Sequence, residues 1–329
     1  MKTSHAMARR QLLKAGLVLA GAEFCPEALF DRRAAAVDKT EIVIGPREIV
    51  KGLDGMSRVA DQGRNPFGDG HNAAAVISSA FFCREQKLDG DIQKEILVHL
   101  EGRLLTSPIY AKARPKEAAE PNLVEGLLDD LDAGIATLRG KGHNIIFAVA
   151  CLKALRDLPE AVTPERVGGL RRMVQSFGMT KGTPRKDPEP LVGLDDEQKF
   201  IHFIFEEFLK AKGNGFNGHV LTIGHALVEL HRMGHKEMAR KGVPAYWQWM
   251  RESRGGDEEE RKSAPAARRG STPLSREYWA AQAKRRVGGI AGSHTIKYPY
   301  SFYALAKELK DEQLKKRILG KIDLLTANS

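Results

Sequence analysis

Apolar residues recur along most of this chain with the spacing of an α-helix, and the pattern divides the predicted helices into two kinds. Helices of the first kind are apolar nearly all round, as in IIFAVACL at 145–152, which predicts burial on every side. Helices of the second kind carry a single apolar stripe, as in the stretch with Ile92, Ile96 and Leu100, which predicts one face on the core. The pattern therefore predicts an all-α fold in which amphipathic outer helices surround four buried inner helices, at 71–87, 143–157, 219–234 and 294–310.

Each predicted inner helix begins with a histidine that follows a glycine-rich stretch. These histidines are His71, His143, His219 and His294, spaced 72, 76 and 75 residues apart. The spacing divides 71–329 into one domain of four repeats of about 75 residues. Closing such repeats into a ring or bundle would bring equivalent positions to a common axis. The glycines expected to turn the backbone into these helices are Gly70, Gly142, Gly218 and Gly292.

The repeated histidines predict a metal site. Imidazole is a common ligand for iron, zinc and copper, and core packing alone does not require the same residue in every repeat. We therefore expect His71, His143, His219 and His294 to converge on one transition metal. The alternative is that these side chains only cap or pack the helices.

Lys297 follows His294 by three residues and shares its helix face. A charged lysine is costly to bury in an apolar helix, so burial favours the neutral amine, which can react with carbon dioxide to form a carbamate. A carboxylated Lys297 would be an anionic oxygen ligand. The alternative is a lysine that reaches along the helix to solvent.

Four further residues are secondary candidates. Glu229 could hold a ligand histidine in one tautomer or pair with a basic side chain, and His225 could support the site although its spacing from His219 suggests a different helix face. Tyr298 and Tyr300 could line an aromatic pocket or belong simply to the core. The chain has no P-loop, no G-x-G-x-x-G after a strand, no G-x-S-x-G and no C-x-x-C, so nucleotide and thiol chemistry lack support.

The formal net charge of +10 is spread over helices that mix lysine with glutamate, which indicates a solvated surface rather than a nucleic-acid interface. Residues 254–272 carry both signs and are predicted as a flexible charged loop. No apolar run reaches the roughly 18 residues of a membrane span. Residues 37–70 are predicted as a lead-in segment, with EIVIG (41–45) as a short strand.

The N-terminal segment, 1–36, resembles a twin-arginine export signal, because Arg9 and Arg10 precede a short, mild apolar run. A general secretory signal or a short amphipathic helix is the alternative. We expect export to the periplasm or beyond by the twin-arginine machinery, with no membrane span left after cleavage. Cys83 and Cys151 are expected to pack in the core rather than form a disulfide framework.

Four segments together resemble the questin oxidase-like family, whose fungal members oxidise or cleave anthraquinone rings: GHNAAAVISSAFF, GHNIIFAVACLKAL, GHVLTIGHALVEL and SHTIKYPY. The resemblance implies a non-haem iron held by four histidines and a carboxylated lysine, here His71, His143, His219, His294 and Lys297. This chain is shorter than the fungal enzymes, and its first inner helix lacks the second histidine that those enzymes often have one helical turn later. Its export signal also differs from the fungal setting. We therefore expect the metal site and the fold to carry over to this chain, but not the anthraquinone substrate.

Three functions follow as hypotheses. The first is an exported, iron-dependent oxidoreductase that uses dioxygen on a small molecule, with aromatic compounds as one candidate class. The second is a zinc-type hydrolase, in which histidines and a carboxylated lysine activate water. The third is a helical-repeat scaffold without enzymatic activity.

Overall fold

A computed structural model describes residues 43–61, 66–112, 114–179, 192–210, 214–253, 271–285, 288–322 and 325. These residues form twelve α-helices, and their only β-type pairing is an isolated bridge between Arg139 and Met179. They belong to one compact unit, 42–329. The predicted signal, 1–36, and nearly all of the predicted loop, 254–272, lie outside the described residues.

The helices are short to medium in length. In chain order they are α1 (Pro46–Arg58), α2 (Pro66–Glu85), α3 (Gly90–His99), α4 (Val124–Asp132), α5 (His143–Asp157), α6 (Pro164–Gln175), α7 (Glu197–Lys210), α8 (Asn214–Arg232), α9 (Lys236–Ser253), α10 (Arg276–Arg285), α11 (Gly289–Glu308) and α12 (Glu312–Leu319). A π-helical turn, Leu100–Leu104, continues α3. The all-α prediction is confirmed.

The four histidine-bearing helices, α2, α5, α8 and α11, form the interior. Helix α2 packs on α5, α5 on α8, α8 on α11, and α11 on α2, so the contacts run in cyclic order. Nearly every residue of these helices beyond its histidine is buried, as their apolar pattern predicts. Outer helices cover them: α1 lies on α2, and α7 and α9 lie on α8. Two further outer helices pack on other outer helices, α6 on α1 and α10 on α3. None of the described helices combines the length and apolar character needed to cross a bilayer.

Three inner helices begin earlier than the sequence suggests. Helices α2, α8 and α11 start five residues before His71, His219 and His294, so these histidines stand in the second helical turn rather than opening the helix. The preceding segments, rich in glycine, read as turns because glycine is a poor helix former. Only His143 begins its helix, after the left-handed turn that Gly142 makes at φ +86°.

Two of the repeated glycines serve close packing instead of turning. A Cβ atom on Gly70 would come within 2.5 Å of the Phe147 ring, and one on Gly218 within 2.1 Å of the Tyr298 ring. Hydrogen at these positions therefore lets aromatic side chains of neighbouring helices approach the backbone. The turn expected at these two glycines is wrong, and so is the turn expected at Gly292, which lies inside α11.

The lead-in segment contains helix α1, which the sequence reading missed. Pro46 occupies its first position, and the Glu48 carboxylate accepts a hydrogen bond from the backbone N–H of Gly45 at 3.0 Å. Proline and an acidic residue in the first turn are both typical of a helix start. The described part of the expected strand, 43–45, is a bend.

Candidate functional site

The four repeated histidines meet at one place inside the protein. Ring centroids lie 4.4 Å apart for His71 and His143, 5.0 Å for His143 and His219, 5.1 Å for His71 and His294, and 5.8 Å for His219 and His294. His71 and His143 are fully buried, His219 is nearly so and His294 is partly exposed. Four side chains from widely separated parts of the chain thus form one cluster.

Aromatic side chains surround this histidine cluster. Phe67 lies 4.3 Å from the His143 ring and Trp249 lies 4.9 Å from the His219 ring, measured between centroids. Tyr298 stacks on His294 at 4.2 Å, and its hydroxyl lies 3.4 Å from Nδ1 of His219. Tyr298 therefore packs against the cluster itself. Trp249 was not anticipated, because α9 carries no histidine of the repeat.

Hydrogen bonds to backbone carbonyls show which ring nitrogen carries the proton in two of the histidines. Nδ1 of His143 lies 2.6 Å from the carbonyl oxygen of Gly140, and Nδ1 of His71 lies against that of Phe67. A carbonyl only accepts, so Nδ1 carries the proton in both rings and donates it. Nε2 is left with a free lone pair in each ring.

The Nε2 atoms of neighbouring rings lie close together. Nε2 of His143 lies 2.9 Å from Nε2 of His71 and 3.3 Å from Nε2 of His219. Two nitrogens bound to one ion at about 2.1 Å lie roughly 3.0 Å apart at a right angle and roughly 3.4 Å apart at a tetrahedral angle. Each close pair therefore fits two ligands of the same metal.

The four histidines together are arranged less regularly than the two close Nε2 pairs. Among the described residues, no three or more His, Cys, Asp or Glu side chains form an arrangement ready to hold a metal ion. His71 and His219 each approach His143, while His294 offers a buried Nε2 that has no hydrogen-bond partner. The fit to a metal accordingly rests on the two close pairs and on this unpaired nitrogen.

Protonation would not disable the cluster at neutral pH. Burial above all, together with neighbouring imidazoles and Lys297, holds the pKa of His71, His143 and His294 well below the ordinary value of 6.5. Neutral imidazole is the form that binds a metal. Burial also holds the pKa of Lys297 well below 10.5, which favours the neutral amine.

Lys297 lies inside the protein with the histidines. It is 3% exposed, which excludes the solvent-reaching alternative, and its Nζ lies 5.4 Å from the centroid of the Phe147 ring. The same side chain lines a cavity of about 40 Å³. The cavity is lined by residues of the four inner helices.

The lining of this cavity follows the repeat. Every lining residue stands three, six, seven or ten positions after the histidine of its own helix. The set comprises Ala74, Ser78, Phe81, Ile146, Val149, Ala150, Lys153, Thr222, His225, Ala226, Glu229, Lys297, Tyr300 and Ser301. These offsets continue one helix face, so the four helices present the same face to the cavity.

His225 and Glu229 belong to this cavity. The spacing of His225 from His219 suggested another face, but the ring lines the cavity, and its Nδ1 lies 3.1 Å from the Ser301 hydroxyl. Glu229 Oε2 lies 2.6 Å from Nζ of Lys153, and Oε1 lies 3.7 Å from Nε2 of His225. Burial opposes ionisation of Glu229, but His225 and Lys153 together hold the pKa of its carboxyl well below the usual range.

Sequence reasoning missed Lys153, which organises the charged end of the cavity. Its ammonium also lies 2.7 Å from Glu85 Oε1 and 2.8 Å from the Tyr300 hydroxyl. The available signal was a single charged residue in the apolar run IIFAVACLKAL, ten positions after His143, which matches Glu229 ten positions after His219. Cys83 and Cys151 are buried free thiols, as expected.

Comparison with protein-family models found no match, and comparisons with curated proteins and with solved structures found no significant similarity. The function is therefore inferred from the side chains of this chain.

Proposed function

We propose that the protein is a metal-dependent oxidoreductase whose non-haem iron is held by His71, His143, His219 and His294. The observation that carries the proposal is the pair of Nε2 lone pairs that face each other 2.9 Å apart in His71 and His143. Such an arrangement is repulsive unless a proton or a cation lies between the two nitrogens, and burial disfavours the proton. A metal ion would turn the repulsion into two bonds.

Bound there, iron would supply redox chemistry with dioxygen. The carbonyls of Gly140 and Phe67 orient their imidazoles through Nδ1–H, and the aromatic side chains exclude water. Lys297, neutral and buried beside the cluster, is suited to carboxylation, and the carbamate would add an anionic oxygen ligand.

The substrate is a small molecule, and the cavity limits its size. Cavities that bind benzene measure about 150 Å³, whereas the cavity beside Lys297 measures about 40 Å³. An aromatic substrate would not fit in this cavity.

A zinc-type hydrolase is the second candidate. The observation that favours it is an ionised carboxylate, Glu229, in the cavity that Lys297 lines, since hydrolysis needs a group that takes a proton from water. The two candidates differ in the metal and in oxygen uptake.

Export by the twin-arginine machinery is part of the proposal. Arg9 and Arg10 stand ahead of the apolar run, and this route carries proteins that are already folded. A metal could therefore be inserted before export.

The deciding experiment measures the metal content of protein purified without chelator. We expect about one equivalent of iron in the wild type and little metal in His143→Ala, because His143 belongs to both close pairs. His202→Ala is the matched control, since the His202 side chain is 45% exposed and pairs with Asp311 rather than with the repeated histidines. Oxygen uptake by the iron-loaded protein would support the oxidoreductase, and stoichiometric zinc without oxygen uptake would support the hydrolase. Folded wild type with less than about half an equivalent of any transition metal would contradict both and favour a scaffold.

A further inference from the structure

The cavity that Lys297 lines has two chemically different ends. Ile146, Val149 and Ala226 supply apolar walls. Lys153 and Glu229, ten positions after their histidines, supply a charged end, where the Glu229 side chain is 13% exposed and that of Lys153 is 12% exposed. Polar groups are therefore concentrated toward this end.

Two polar atoms that line the cavity have no hydrogen-bond partner. They are Oγ1 of Thr222 and Nε2 of His225, in side chains that are 4% and 6% exposed. Glu229 Oε1 is the nearest acceptor to Nε2 of His225, but at 3.7 Å it is beyond hydrogen-bond length. Buried polar atoms are costly to leave unpaired, so these two favour an occupant that forms hydrogen bonds.

The donors of Lys153 are already used, which disfavours an anion in the cavity. The Lys153 ammonium has three partners, namely Glu85, Glu229 and the Tyr300 hydroxyl. An ammonium has only three protons to donate. An anion in the cavity would therefore meet the Glu229 carboxylate with no proton of Lys153 left to pair with, whereas a neutral molecule would not be repelled.

Size supplies the third restriction. A site for one water needs roughly 10–15 Å³, so about 40 Å³ admits an occupant of two or three heavy atoms.

We propose that this cavity is a binding site for a neutral, hydroxyl-bearing molecule of two or three heavy atoms, held by the Thr222 hydroxyl and Nε2 of His225. A hydroxyl both donates and accepts, so it can pair with Thr222 and His225 and also donate to Glu229. Methanol has this chemistry and size. The site is formed by side chains alone and does not depend on a metal in the histidine cluster.

The test is a methyl NMR titration of the purified protein, labelled at isoleucine, valine and alanine, with methanol, phenol, formate and xenon in turn. Methanol is expected to cause saturable shifts at Ile146, Val149 and Ala226, while phenol and formate cause none. Thr222→Val keeps the side-chain shape but removes the hydroxyl, and should raise the methanol Kd about 2- to 12-fold, the value of one hydrogen bond. Thr106→Val, at an exposed position, should leave the Kd unchanged.

Several outcomes would overturn the proposal. Saturable binding of phenol would contradict the size limit, and saturable binding of formate would contradict the charge argument. Xenon binding without methanol binding would identify an apolar cavity. Should Thr222→Val fold poorly, Ala226→Leu fills the same space and should abolish the methanol shifts, and persistence of those shifts would place methanol elsewhere.

Discussion

At the residue scale, Lys297 shows how burial changes chemistry. On an exposed helix face its amine would be a charged group with an ordinary pKa near 10.5. Inside the apolar interior the charged form loses hydration, so the folded protein holds the neutral amine. A lysine that is neutral at pH 7 is available for carboxylation or for metal binding, and the sequence alone left this choice open.

The buried amine leads to a prediction about pH. Folding disfavours the protonated form of Lys297, because burial lowers the pKa of its amine from the ordinary value of 10.5 that it has in the unfolded chain. In buffer with chelator and without bicarbonate, Lys297→Met should therefore be more stable than the wild type at pH 7. The gain should shrink as the pH rises toward 10.5, as checked by urea unfolding across this range.

Lys199→Met is the control for that experiment. The Lys199 side chain is 79% exposed, so its replacement should change the unfolding free energy by no more than about 0.5 kcal/mol at any pH. Lower stability of Lys297→Met than of the wild type at pH 7 would show that Lys297 contributes a stabilising contact in the folded state, contrary to a neutral, unpaired amine.

At the element scale, the inner helices combine complete burial with glycines at close contacts. Glycine normally weakens a helix by about 1 kcal/mol relative to alanine. Gly218 offsets this cost, because the ring of Tyr298 fills the space that a Cβ atom would occupy. The glycine thus sets the distance between α8 and α11, and with it the position of His219 beside Tyr298.

Gly218→Ala is accordingly expected to reverse the usual effect of alanine in a helix. A Cβ atom 2.1 Å from the Tyr298 ring must displace the ring or the backbone, so the unfolding free energy should fall by about 1–3 kcal/mol. Urea unfolding measures the change. Gly102→Ala is the matched control, because nothing lies within 4 Å of the new Cβ atom. A stabilised Gly218→Ala protein would contradict the close contact.

At the scale of the whole molecule, the histidine cluster joins four helices that span most of the chain, from α2 to α11. A ligand that binds only the native state stabilises it by mass action, by about 2.7 kcal/mol at one hundred times its Kd. A metal at this cluster would bind the folded protein alone, since the unfolded chain holds the histidines more than 70 residues apart.

Adding Fe²⁺ under anaerobic conditions, or Zn²⁺, to chelator-treated protein should therefore raise the thermal midpoint by several degrees. The shift should disappear in His143→Ala, because both close Nε2 pairs include His143. Thermal melts followed by circular dichroism test this. An equal shift in His143→Ala would place the stabilising metal outside the histidine cluster.

The helical class, the four-fold repeat of histidines and the burial of the inner helices could all be predicted from the order of amino acids. These properties are local, because a helix apolar on every side must be covered whatever its partners are. His143 could also be placed correctly at a helix start, since the left-handed glycine before it is a local signal.

How the helices meet depends on tertiary packing. Gly70 in α2 and Gly218 in α8 lie against the rings of Phe147 and Tyr298, contacts that no local pattern reveals. The pairing of Lys153 with Glu229 and Glu85, and the place of His225 in the cavity, depend on how each helix is rotated about its axis. The rotation of each helix about its axis is set by packing between residues that are distant in the chain. Contacts of this kind form only when the helices assemble.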